Sequence, residues 1–197
     1  MLFRSYRDRV FSLEGFVFRN EIRDGIRIAP TDETSEGGLP IFRNVNIEKL
    51  RFWGVELSGD IRLPAGVSVG GTYTYQDSKD VLDENNPVGD SFNEKLSGYA
   101  RYTYPGNRFW AEYAVRRNGE RKEAELLIGN PVGDVFPAFT VHSIQGGVTV
   151  FRRGPHVHRL GITIDNLTDE LYAEFANAGF FRPEPGRRVI LTWDMNF

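Results

Sequence analysis

The chain has 197 residues, 24 Lys plus Arg against 27 Asp plus Glu, a net charge of −3, three His and no Cys. Without Cys there is no disulfide scaffold, thiolate metal site or Cys nucleophile, and the charge balance gives no global attraction to nucleic acid. The longest stretch without a formal charge, 135–151, contains Pro137, Gly146 and Gly147, so no segment supplies the roughly 20 consecutive apolar residues of a membrane-spanning helix.

The opening Met1-Leu2-Phe3-Arg4-Ser5-Tyr6-Arg7-Asp8 has no apolar run, so no secretory leader is expected at this start. From there the pattern is that of strands: 13% aromatic residues and 21 Gly suit an all-β chain, and period-2 alternation recurs almost throughout. A less regular segment spans 10–28. Val55, Leu57, Ile61 and Leu63 then alternate with Glu56, Ser58, Asp60 and Arg62. Val67, Val69, Gly71, Tyr73 and Tyr75 follow, then Leu96, Gly98, Ala100, Tyr102 and Tyr104. Phe109, Ala111, Tyr113 and Val115 oppose Trp110, Glu112 and Arg116. Ile144, Val148 and Val150, then Leu160, Ile162 and Ile164, continue the series. Val189, Leu191, Trp193, Met195 and Phe197 close it. About eight strands are predicted.

Their connections alternate in length. Leu63-Pro64-Ala65-Gly66, Tyr104-Pro105-Gly106-Asn107 and Arg153-Gly154-Pro155-His156 read as short turns, with Pro and Gly supplying the dihedrals. Longer polar connections lie at 30–41, 80–93, 118–138 and 167–186. Short turns at one end and long loops at the other are the layout of an outer-membrane barrel. Asn118-Gly119 leaves two shapes open, a tight hairpin turn or part of a longer loop.

Alternation by itself fits two environments: a membrane barrel, or a soluble β-sandwich whose charged face meets water. Two features favour the barrel. Aromatic residues gather near strand ends (Tyr73, Tyr75, Tyr102, Tyr104, Trp193, Phe197), where a girdle at the lipid–water boundary needs them. Ten residues at about 3.3 Å each, tilted roughly 40°, also cover the ~25 Å apolar band of such barrels. Leu57 is then expected on the lipid side. Glu56, Asp60, Arg62, Tyr99, Arg101, Glu112 and Arg116 are expected inside.

Particular motifs sharpen this. Phe42-Arg43-Asn44-Val45, Phe52-Trp53-Gly54-Val55-Glu56-Leu57-Ser58, Leu63-Pro64-Ala65-Gly66 and Gly71-Thr72-Tyr73-Thr74-Tyr75 resemble the barrel of TonB-dependent outer-membrane receptors. So do Asn166-Leu167-Thr168-Asp169-Glu170-Leu171-Tyr172, Pro185-Gly186-Arg187 and an alternating strand that stops on Phe197. The resemblance implies an antiparallel transmembrane β-barrel meander in the outer membrane of a Gram-negative bacterium. It also implies uptake of a scarce nutrient: siderophore-bound iron, cobalamin or an oligosaccharide. Its partners would be outer-membrane lipid, a small-molecule ligand and, through a plug domain, the TonB energy-transducing complex. Receptors of this kind have about 22 strands around a plugged lumen, so residues 1–197 are expected to be a C-terminal segment without plug or signal peptide. A self-contained eight-stranded barrel and a soluble β-sandwich binding module are the alternatives.

Candidate chemistry is sparse. His156-Val157-His158 puts two imidazoles on one strand face, but no third ligand lies near it in sequence and it reads as a polar turn. His142 and Ser143, adjacent in a strand, point to opposite faces, and no nucleophile motif surrounds the serine. Asp77, Asp80, Asp83, Glu84 and Asp90 lack the spacing of a Ca²⁺ loop. Arg116-Arg117-Asn118-Gly119-Glu120-Arg121-Lys122 reads as a solvated tip or a site for anionic sugars. No catalytic residue, metal site or cofactor is assigned, no enzymatic activity is expected, and the ligand-binding residues are left open.

Overall fold

A computed structural model describes residues 2–81, 92–122, 135–174, 176–177, 180–181 and 183–196. Nine strands form one antiparallel sheet: β1 (Leu2–Arg7), β2 (Phe11–Thr34), β3 (Pro40–Leu63), β4 (Val67–Asp80), β5 (Glu94–Thr103), β6 (Phe109–Asn118), β7 (Phe139–Arg153), β8 (His156–Asp165) and β9 (Arg188–Asn196). Each strand pairs with the next in sequence, so the sheet is a meander. Two short ribbons, Arg121–Lys122 with Val135–Phe136 and Ala176–Asn177 with Phe180–Phe181, stand outside it. Pro64–Gly66 forms a single 3₁₀ turn, and no helix among the described residues is long and apolar enough to cross a membrane.

The register carries one face across all nine strands. Leu13 pairs with Gly59, Val17 with Val55 and Gly15 with Leu57. Leu57 continues to Tyr73, Tyr73 to Leu96 and Ala100 to Tyr113. Tyr113 leads to Ile144, Ile144 to Ile164 and Ile162 to Leu191. Leu57, Val69, Leu96, Tyr113, Ile144, Leu160, Ile162, Leu191 and Trp193 on this apolar face are all exposed. A soluble sandwich would bury such a surface against a second layer. Among the described residues the nine strands form one sheet with no second layer over this face, unlike the sandwich alternative. Arg4, level with Gly15 on the edge strand β1, interrupts the face with a charge.

Nine strands are one more than the pattern predicts. The extra one is β1, in which Phe3 takes the polar face and Arg4 stands on the apolar one between Leu2 and Tyr6, breaking the alternation. The connection expected over 30–41 is also mostly sheet. β2 and β3 run 24 residues each and join through a turn at 35–39, where Gly38 adopts φ 76°. At about 3.3 Å per residue and ~40° tilt, each rises about 60 Å against an apolar band of ~25 Å. Their upper halves show no regular alternation in sequence.

The remaining turns fall where the sequence places them, at 64–66, 104–108 and 154–155, with 8–10 added at the same end. Asn118-Gly119 is no tight turn. Asn118 stays in the β6 ladder opposite Phe139 and is buried, and the Gly119 amide donates to the Glu94 carbonyl at 2.8 Å. The tip of that hairpin lies outside the described residues.

The sheet is open: β1 and β9 are its edges. Because all consecutive pairs are antiparallel and nine is odd, β1 and β9 run in the same direction. They cannot pair with each other and keep the ladder antiparallel throughout.

Candidate functional site: the polar face and its folded-in connection

The opposite face is polar and internally paired. Arg101 on β5 meets the Glu112 carboxylate on β6 at 3.3 Å, and the Gln145 amide on β7 donates to the same carboxylate at 2.7 Å. The Arg101 guanidinium also lies 4.1 Å from the centre of the Trp110 ring, a cation–π contact. Further along, Thr72 and Ser97 hydroxyls are 2.7 Å apart, and Arg188 donates to Asp165 at 3.1 Å. Aromatic rings lie flat against glycines on this face. A Cβ on Gly70 would stand 2.7 Å from the Tyr99 ring, and one on Gly147 2.7 Å from the indole nitrogen of Trp110, so both rings need a missing side chain beneath them.

The connection after β8 returns onto this face. Asn166, at φ 51° and 2% exposed, organises its start. Its side-chain oxygen accepts from the Glu170 amide at 2.8 Å, and its NH₂ donates to the carbonyls of Glu170 (2.9 Å) and Pro185 (3.4 Å). Asp169 in turn accepts from the Arg187 amide at 2.7 Å. Asn and Asp tolerate the left-handed backbone such a turn requires. The result ties the beginning of the connection to its end, with the Glu184 amide also bonded to the Tyr172 carbonyl.

So held, Tyr172 and Ala173 bury themselves with Phe92 and Phe139 in a small apolar cluster. The Phe139 and Tyr172 ring centres are 4.5 Å apart, and Phe92 meets Phe139 edge-on at 5.6 Å. Arg116 fastens the cluster to β6. It pairs with Glu174, donates to the Tyr172 hydroxyl at 3.3 Å, and lies over the Phe139 and Tyr172 rings at 5.6 and 5.7 Å. Burial pushes the Tyr172 phenol above its usual range, against the pull of Arg116. A cavity of about 490 Å³ opens beside the connection, lined by Tyr99, Glu112, Arg116, Ser143, Asp165 and Arg188 among others.

These positions test the expectations from sequence. Leu57 is exposed on the apolar face, whereas Glu56 shares the polar face with Thr74 and Phe16. Arg116, grouped in sequence with the basic stretch ending at Lys122, does not reach a solvated tip: it points to the polar face, while Arg117 takes the apolar one. Asp77 and Asp80 face opposite ways, Asp77 accepting from the Trp53 indole at 3.0 Å. Asp83, Glu84 and Asp90 lie outside the described residues. His142 accepts from or donates to the Tyr113 hydroxyl at 2.6 Å on the apolar face, away from Ser143 in the cavity. His158 meets the Phe151 ring edge-on at 5.4 Å and the Trp193 ring at a tilt, and no metal-binding group of three occurs among the described residues. The inward return of Tyr172 is what sequence reasoning missed, since the connection was expected to be external.

The profile of the family described as TonB-dependent receptor-like, β-barrel, matches residues 3–167. The chain belongs to the TonB-dependent receptor family. Solved structures share the fold at low identity. The copper transporter OprC aligns at 18% identity and a TM-score of 0.78 over 98% of this chain and 30% of its own. The ferric-catecholate import receptor Fiu from E. coli aligns at 22% and 0.70, over 96% and 26%. A mutant ferric enterobactin receptor, PfeA, from Pseudomonas aeruginosa aligns at 18% and 0.73, over 98% and 30%. No curated protein matches the sequence. The chain spans less than a third of these receptor structures. As part of a TonB-dependent receptor barrel, its polar face is the inner wall and its apolar face the outer one.

Proposed function

We propose that this chain is a wall segment of an outer-membrane TonB-dependent transporter that imports a scarce nutrient, with siderophore-bound iron as the favoured cargo. The observation that carries the membrane reading is the face of exposed, mainly apolar side chains that β2 to β9 share, from Leu13 to Leu191. Acyl chains suit a surface of that extent. The cargo is drawn from the structural neighbours, whose names specify copper, ferric catecholates and ferric enterobactin.

In this reading residues 1–197 supply nine strands and their loops, and other strands complete the ring. A plug domain filling the lumen would contact the inner wall and engage the TonB complex. The segment itself performs no covalent chemistry. It excludes lipid, lines the passage with paired charges and holds the last connection across the inner wall.

The test is uptake by a strain in which the gene is deleted. Loss of ⁵⁵Fe accumulation from one siderophore, restored by the intact gene, is the expected result. Unchanged accumulation across siderophores would remove the iron assignment, and recovery of the protein in the soluble fraction would remove the transporter reading altogether.

A further inference from the structure

On the outer wall the apolar band ends at Trp53 and Tyr75, whose rings are 5.3 Å apart. Above them the rows of β2 and β3 become charged: Arg19 opposite Trp53, Glu21 opposite Arg51, and Arg23 opposite Lys49. Four cations thus surround one carboxylate. Glu21 accepts from Arg19 at 2.8 Å and Arg51 at 3.1 Å, with the Lys49 ammonium 3.4 Å away. Arg23 has no ion pair among the described residues, and it faces another cation directly across the ladder. Like charges in that position destabilise a sheet, so the arrangement calls for an anion from outside the chain.

Position identifies that anion. Trp53 to Lys49 is four residues, about 13 Å along the strand, and aromatic girdles sit at headgroup level. The cations therefore stand in the headgroup layer, on the side of the wall that cargo in the lumen never meets. They are also local: at the same level β4 carries Asp77 beside Lys79, and β5 carries Glu94. Arg19 keeps 60% of its side-chain surface open, and guanidinium groups suit phosphate oxygens.

We infer that the outer wall of β2 and β3 above Trp53 binds the phosphate groups of an anionic membrane lipid. This rests on the reading of the apolar face as lipid-facing, and the experiment separates the two. The intact protein carrying this chain is reconstituted in phosphatidylcholine vesicles with spin-labelled phosphatidic acid or spin-labelled phosphatidylcholine as probe. The lipid shell should favour phosphatidic acid by at least about threefold at low salt, and the preference should fall as salt rises. An R19Q/R23Q/K49Q variant should lose the preference while keeping heat-modifiable gel migration, and Glu21→Gln should strengthen it. An inserted protein without lipid preference, or a triple variant that retains it, overturns this inference and leaves the membrane reading standing. A protein that stays outside the vesicles overturns both.

Discussion

Arg116 joins three elements through one side chain: it sits on β6, pairs with Glu174 in the connection after β8, and covers the ring of Phe139 on β7. Arg116 and Glu174 are partly open to solvent (40% and 38% of their side-chain surface), which weakens the pair toward the value of a surface ion pair. The hydrogen bond to the buried Tyr172 and the stacked rings add to it. Arg116→Leu should therefore loosen the connection by about 1 kcal/mol, speeding amide exchange at 172–174 roughly fivefold and leaving β6 protected. Exchange that accelerates equally along β6 would mean that Arg116 supports the strand and not the connection. The inward direction of Arg116 was legible, since it keeps step with Glu112 four residues earlier. Its partner was not, because Glu174 lies 58 residues away and nothing in sequence brings that connection back over the wall.

At the scale of strands, alternation is readable only where the two faces meet different surroundings. β4 to β9 satisfy this, with an exposed apolar face on one side and a paired polar face on the other, and that division followed from the residues alone. The upper halves of β2 and β3 do not, so a segment that looks like a loop at 30–41 is mostly ladder. Leu57 lies six residues above its turn, about 15 Å up at ~40° tilt, close to the middle of the apolar band. Leu57→Arg should cost about 2–4 kcal/mol in folding into vesicles, whereas Glu56→Gln should leave folding nearly unchanged. Equal costs, read from urea titrations of heat-modifiable migration, would mean that the assignment of Leu57 to the lipid side and Glu56 to the interior is wrong. Higher on the same strands, the Arg19 and Arg51 guanidiniums hold the Glu21 carboxyl at about 2, below its usual 4.5. A carboxyl lowered on folding stabilises the fold above its unfolded value and loses that contribution as pH falls. The β2–β3 ribbon should thus resist protease down to about pH 4.5 and weaken steadily toward pH 2. Glu21→Gln should remove that acid-dependent component, and an unaltered acid profile in the variant would show that the cluster adds nothing to the ribbon.

For the whole molecule the decisive quantity is the parity of the strand count. In the transporter reading proposed above, an open edge in hydrocarbon would leave backbone N–H and C=O groups unpaired at several kcal/mol each, so that reading requires neighbours for β1 and β9. They cannot serve each other: both run the same way, and single-chain bacterial outer-membrane barrels hold an even number of antiparallel strands. An odd number of further strands must stand between β9 and β1. A ring of about 22 strands would need about 13 more, which meets that parity. The absence of Cys from residues 1–197 makes this testable by oxidative crosslinking with no background from this segment. In the intact protein, cysteines replacing Thr72 and Ser97, whose hydroxyls touch across β4 and β5, should crosslink readily with copper phenanthroline. Cysteines replacing Ser5 on β1 and Thr192 on β9 should not, since intervening strands hold them apart. An efficient crosslink between positions 5 and 192 within one molecule would mean that the nine strands close on themselves through a parallel pair. The lumen would then be filled by the side chains now lining the wall, and no passage for a nutrient would remain.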